Sequence, residues 1–235
     1  MTDSGVRFET EPVELVVFDC DGVLVDSETI SNDVLARMIS EQGHVTTLIQ
    51  ARAEYQGMLL RDVVGKVEGK LGGPLPEGWL ADYERQRTEA FEAGLEAVPG
   101  AQELVEVVLS RGVAICVASQ GSLLKTERSL ALTGLAPLFP EEVRFSAGQV
   151  ERGKPYPDLF LHAASSLGVD PSRCVVIEDS PSGVAAGVSA GMPVFGYAAD
   201  SDADALRRAG ARTYDAHHEL PGLLWPQAGA PRHED

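Results

Sequence analysis

The 235-residue chain is predicted to be an α/β protein, a doubly wound parallel sheet with an all-helical segment inserted near its start. Three observations lead there. Short continuous apolar runs rich in branched residues recur along the chain, which is how strands buried on both faces of a parallel sheet read. Segments with apolar residues at helical spacing alternate with those runs. One long stretch, residues 28–95, shows helical spacing and no comparably strong strand.

Taken in order, residues 1–12 are polar and end in Glu11-Pro12, a short lead into the first strand. Leu15-Val16-Val17-Phe18 is that strand, and it stops at Asp19. In the segment that follows, Val34, Leu35, Met38 and Ile39 recur at helical spacing, and Gly72-Gly73-Pro74-Leu75-Pro76 marks a loop in its middle. Its cations Arg37, Arg52, Arg61, Lys66, Lys70, Arg85 and Arg87 are expected chiefly on solvated helix faces. Val98-Pro99-Gly100 then returns the chain to alternation, with a helix over 101–111 closed by Gly112. Val113 to Ala118 is a second buried strand, Leu123 to Leu132 a helix, and Val143-Arg144-Phe145 a short strand. Gly153-Lys154-Pro155-Tyr156-Pro157-Asp158 cannot hold regular structure. A helix from Leu159 to Leu167, a strand Cys174 to Ile177, a small-residue helix from Ser182 to Ala190 and a strand Pro193 to Gly196 follow. Ala205-Leu206 and Leu223-Leu224-Trp225 are expected in peripheral helices, and from Pro226 the composition is tail-like. The organisation expected is a core of residues 1–27 and 96–235 with a helical insertion over 28–95.

Composition narrows the function. Acidic residues number 36 against 19 basic, a formal net charge of −17. Such a surface repels nucleic-acid backbones and anionic membranes, so neither is an expected partner. Cys20, Cys116 and Cys174 lie in or beside apolar runs, as small buried hydrophobes in a reducing compartment. No signal-peptide pattern and no bilayer-spanning stretch is found, and a cytoplasmic location is expected.

The informative regularity is where the strands stop. The first delivers Asp19 and Asp21, the second Ser119, and the one ending at Ile177 delivers Glu178 and Asp179. Residues two apart on a strand share a face, so Asp19 and Asp21 are expected to converge. Ligands of open α/β sheets bind outside the carboxyl ends of the strands, where all these residues emerge. Carboxylates gathered there repel by about 4 kcal/mol per close pair at an effective dielectric near 20. A hard cation offsets that cost: Asp19, Asp179 and a backbone carbonyl near Asp21 would give an oxygen shell suited to Mg²⁺. Lys154 is the candidate to neutralise the rest.

Asp19-Cys20-Asp21-Gly22-Val23-Leu24-Val25-Asp26-Ser27, Ser119 after a strand, Gly153-Lys154-Pro155-Tyr156-Pro157-Asp158 and Glu178-Asp179-Ser180 resemble, in order and spacing, the four motifs of the haloacid dehalogenase superfamily. The helical insertion resembles the cap of the subgroup containing β-phosphoglucomutase and 6-phosphogluconate phosphatase. The resemblance implies a Rossmann-like core and a Mg²⁺-dependent phosphatase acting through an aspartyl-phosphate. It implies Asp19 as nucleophile and Asp21 as acid and base, with Ser119 and Lys154 on the phosphoryl group. Metal ligation falls to Asp19, Asp21 and Asp179, with Glu178 a direct or outer partner. Asp21 points to phosphate esters, because the superfamily's dehalogenases and phosphonatases lack an acid there. Gln120 departs from the Asn common after the serine.

The expected substrate is a small phosphorylated metabolite, a sugar or sugar-acid phosphate, and the protein a monomer or homodimer. Gln120 and Glu28, with Gly57 and Arg61 in Tyr55-Gln56-Gly57-Met58-Leu59-Leu60-Arg61, are candidate substrate contacts, Arg61 being equally readable as a surface arginine. Two other functions remain: a phosphomutase of the β-phosphoglucomutase type, and a silent sugar-phosphate sensor. The mutase carries a histidine early in its cap where this chain has Ser31, which favours hydrolysis. His44, His162, His217, His218 and His233 are expected to serve surfaces or packing.

Overall fold

The structure, a computed structural model, describes residues 12–55, 58 and 60–226. The chain divides into two compact units, residues 1–25 with 97–235, and residues 26–96.

The larger unit holds a six-stranded sheet in the order β3-β2-β1-β4-β5-β6, every pair parallel. Its strands are β1 (Leu15–Phe18), β2 (Ala114–Ser119), β3 (Arg144–Ser146), β4 (Cys174–Glu178), β5 (Val194–Tyr197) and β6 (Arg212–Tyr214). In β1 all four residues are buried, as a continuous apolar run in a central strand requires. Phe18 pairs in register with Val117 on one side and Ile177 on the other. The strand order reverses direction between β1 and β4, and such a switch point is where doubly wound sheets open a crevice for ligands.

The smaller unit is helical: α1 (Ser27–Glu41), α2 (Leu48–Tyr55), α3 (Leu60–Leu71) and α4 (Trp79–Gly94). Asp26 caps α1 by accepting the Thr29 N–H at 3.3 Å, a contact typically worth about 1 kcal/mol. The unit has its own core, in which Val34, Leu35, Met38 and Ile39 of α1 pack with Tyr55, Val67, Trp79 and Tyr83. Its two ends meet where the Asp26 N–H donates to the Glu96 carbonyl at 3.0 Å. The expected interruption at Gly72 to Pro76 separates α3 from α4.

The remaining helices belong to the larger unit: α5 (Ala101–Ser110), α6 (Leu123–Leu132), α7 (Asp158–Ser166), α8 (Pro181–Ser189), α9 (Ala203–Ala209) and α10 (Leu220–Leu224). Two expectations need correction. β6 was not foreseen; Arg212-Thr213-Tyr214 is a three-residue edge strand with neither alternation nor an apolar run to announce it. Ser119 and Glu178 are the last residues of their strands rather than the first beyond them, so sheet hydrogen bonding holds them directly. Among the described residues no helix is long and apolar enough to cross a membrane. The three cysteines are unpaired and buried.

Candidate active site

Asp19 leaves the sheet while still tied to it, its N–H donating to the Ile177 carbonyl at 2.9 Å. The chain then turns rather than continuing extended. Gly22 has φ +80°, a left-handed conformation that other residues resist, and the Leu24 and Val25 N–H groups both donate to the Cys20 carbonyl. A Cβ at Gly22 would also overlap the Asp179 carboxylate, so this glycine lets two motifs approach each other. The strand-face premise for Asp19 and Asp21 is thereby corrected: β1 ends at Phe18, and the turn brings Asp21 near Asp19.

Lys154 reaches the centre from the loop before α7. Arg152 clamps Asp158 through two hydrogen bonds of 3.1 and 3.0 Å, and the Lys154 N–H donates to Gln120 Oε1 at 2.9 Å. Gly153 gives Gln120 room to lie there. The Lys154 side chain is 4% exposed, with Nζ over the Phe160 ring, bonded to Asp19 Oδ1 and 2.6 Å from Glu178 Oε1. Glu178 is itself a hub. Its Oε2 accepts from the Asp179 N–H, the Ser180 N–H and the Ser180 hydroxyl at 2.9–3.1 Å, while Gly183 leaves space for its carboxyl group. Its buried Oε1 has the nearby Lys154 charge but no aligned hydrogen bond.

Electrostatics follow from this burial. Desolvation pushes the Asp19 carboxyl up to about 7, against the opposing pull of Lys154, with Glu178 and Asp21 adding to the rise. Burial works against the Lys154 charge too, yet Asp19 and Glu178 together hold the ammonium above its ordinary range. Carboxylate oxygens of Asp19, Glu178 and Asp179 lie within 4.8 Å of one another. Three carboxylates and one ammonium leave a formal excess of two negative charges, and the donors are all oxygen. Both properties fit a hard divalent cation. The Asp21 carboxylate lies outside that trio and accepts from Lys125 Nζ at 2.7 Å.

Ser119 ends β2 with 1% exposure, its Oγ accepting the Gly121 N–H at 3.0 Å. Asp19, Asp21, Ser119, Lys154, Glu178 and Asp179 thus gather at one edge of the sheet, and Gln120 stands behind Lys154. The remaining candidates belong to the helical unit. Glu28 accepts from Asn32 Nδ2 at 3.3 Å, Arg61 is the second residue of α3, and Gly57 lies outside the described residues.

Two contributors were missed by sequence reasoning. Lys125 looks like any lysine in a first helical turn, and only Ser122 as a helix cap three residues before it fixes its place. His217 is 1% exposed, and its Nε2 meets the Val23 carbonyl at 2.8 Å while Nδ1 meets the Tyr214 hydroxyl at 3.1 Å. It pins the turn carrying Asp19 and Asp21, a contact that nothing in its local sequence announces.

Comparison with known proteins gives one consistent family. Residues 13–191 match the family model described as haloacid dehalogenase-like hydrolase. The chain is 30% identical over 218 residues to the 6-phosphogluconate phosphatase of Escherichia coli K12, covering 92% of this chain and 96% of that one. A haloacid dehalogenase family hydrolase from Deinococcus radiodurans R1, solved with bound phosphate and sodium, superposes with a TM-score of 0.81 at 33% identity, over 92% of this chain and 96% of its own. A candidate β-phosphoglucomutase from Thermotoga maritima gives a TM-score of 0.76 at 29% identity, over 90% and 98%.

Proposed function

The chain belongs to the haloacid dehalogenase-like hydrolase family and is a phosphoric monoester hydrolase, and on that premise we propose a Mg²⁺-dependent phosphatase of a sugar or sugar-acid phosphate, working through an aspartyl-phosphate at Asp19. The observation that carries this reading is the buried pairing of Asp19 with Lys154 at the carboxyl end of β1, beside Glu178 and Asp179. Buried charge of this kind is costly as scaffolding and useful at a reacting centre.

In the first step an Asp19 carboxylate oxygen attacks phosphorus and the bond to the substrate's alcohol oxygen breaks. Asp21 gives that oxygen a proton, so the alcohol leaves neutral. In the second step Asp21 takes a proton from water as the water attacks phosphorus, and phosphate leaves with Asp19 restored. Splitting one displacement into two is what an enzyme nucleophile contributes. Lys154 and the Ser119 hydroxyl would face the phosphoryl oxygens, where preorganised charge lowers the barrier most. Mg²⁺ held by Asp19 and Asp179, with Glu178 behind them, would keep Asp19 ionised and offset charge on the transferring group. Gln120 serves this reading better as the anchor of Lys154 than as a substrate contact. Free, buried cysteines support a cytoplasmic location.

The 6-phosphogluconate phosphatase likeness supports the sugar-acid class, and the β-phosphoglucomutase likeness supports a mutase as the second reading. A panel of phosphorylated metabolites, assayed for phosphate release with Mg²⁺ and with chelator, tests the proposal. Release from sugar or sugar-acid phosphates, abolished by chelator, is expected. Metal-independent turnover would sink it. Conversion of β-glucose 1-phosphate plus its bisphosphate to glucose 6-phosphate without net phosphate release would establish the mutase instead.

A further inference from the structure

We propose that Lys125 is the positioning residue of Asp21, fixing the direction in which that carboxylate moves protons; the inference rests on the reading of Asp21 as acid and base. Lys125 Nζ donates to Asp21 Oδ2 at 2.7 Å, with the two side chains 32% and 24% exposed. The lysine is not a long surface side chain that happens to reach a carboxylate. Its backbone is fixed, because Ser122 caps α6 by accepting the Lys125 N–H at 3.3 Å. Its stem crosses Gly121, where a Cβ would lie 3.1 Å from Lys125 Cδ, and the Gly121 N–H in turn donates to Ser119 Oγ. One short stretch, residues 119–125, therefore sets both the Ser119 hydroxyl and the ammonium on Asp21.

The turn after β1 fixes the backbone around Asp21 through bonds to Cys20 and Val25, and the two torsions of its side chain are set by side-chain contacts, the Lys125 bond among them. Proton transfer requires hydrogen-bond reach, about 2.6–3.2 Å between heavy atoms, so a swing of one torsion takes the carboxyl group out of range. Lys125 holds it. A lysine that instead bound the substrate's phosphate directly would act alike on every ester, whatever its leaving group.

That difference is measurable with two aryl esters, phenyl phosphate and p-nitrophenyl phosphate, of which the second has the far better leaving group and needs little protonation. The kcat/KM for each is measured with Mg²⁺ in the full-length wild type and in Asp21→Asn, Lys125→Met and Lys125→Arg. General acid–base catalysis contributes about 10²–10⁴-fold, so Asp21→Asn loses far more on phenyl phosphate than on p-nitrophenyl phosphate. Lys125→Met shows the same imbalance, about tenfold or more of that range, and Lys125→Arg recovers most of it. Equal losses on both esters in Lys125→Met, with the imbalance kept in Asp21→Asn, overturn the role of Lys125 and leave the mechanism standing. Equal losses in Asp21→Asn overturn the reading of Asp21 itself, and the role of Lys125 with it.

Discussion

Two lysine–aspartate pairs stand at the end of β1, and they are opposites. In the pair Lys154–Asp19 the side chains are 4% and 9% exposed, and in Lys125–Asp21 they are 32% and 24% exposed. The first is shut in with Glu178 and over the Phe160 ring, where a charge without a partner is expensive. The second is partly wet, where an ion pair contributes little to stability. On the proposed mechanism the buried pair bears on both folding and chemistry, and the wet pair on chemistry almost alone. Protons then enter and leave through Asp21, whose partial exposure suits that task.

The sharpest way to break this contrast is Lys154→Met. It leaves Asp19 and Glu178 buried without their cation, and removing one member of such a pair typically costs about 3–5 kcal/mol. Thermal melts in chelator are expected to show a large loss of Tm, and kcat should fall by about 10²–10³-fold. A variant as stable as the wild type would contradict the burial argument.

The next effect is in pH. Burial raises the Asp19 carboxyl from 3.8 to about 7. Between those values the folded chain holds a proton that the unfolded chain releases. The stabilisation from this group is complete below about 4 and is lost as pH rises through about 7. In chelator, Asp19→Asn is therefore expected to gain in Tm on the wild type as pH climbs over that window. A gap that stays constant with pH would refute it.

Lys125→Met gives the smallest stability change. Its partner stays solvated, so the loss should lie within about 1 kcal/mol in denaturant melts. A loss as large as that of Lys154→Met would erase the distinction between the two pairs.

The same contrast explains what the sequence disclosed. Asp19, Glu178 and Asp179 were legible because each follows an unbroken apolar run, and a buried strand that stops at a carboxylate announces both the strand and the site. Lys154 was legible from its loop, since Gly153, Pro155 and Pro157 forbid regular structure around a lone cation. Lys125 was not, because its placement depends on the path of α6 past Gly121 and not on its own neighbours. One role of Gln120 was not legible: its side-chain carbonyl oxygen accepts from the Lys154 N–H at a separation of 34 residues, which no local pattern encodes. His217 and β6 escaped for related reasons: one acts through a contact 194 residues away, the other is a three-residue strand defined only by its neighbour β5.

The central claim is that Asp19 carries the phosphoryl group, and trapping that intermediate tests it most directly. Asp21→Asn should let p-nitrophenyl phosphate phosphorylate the enzyme while slowing the water step that follows. Acid quench, borohydride reduction and peptide mass spectrometry would then report which carboxylate was phosphorylated, since a reduced aspartyl-phosphate becomes homoserine. Homoserine at position 19, absent without substrate, is the predicted result. Sustained turnover with Asp19 unmodified, or modification of another carboxylate, would contradict it.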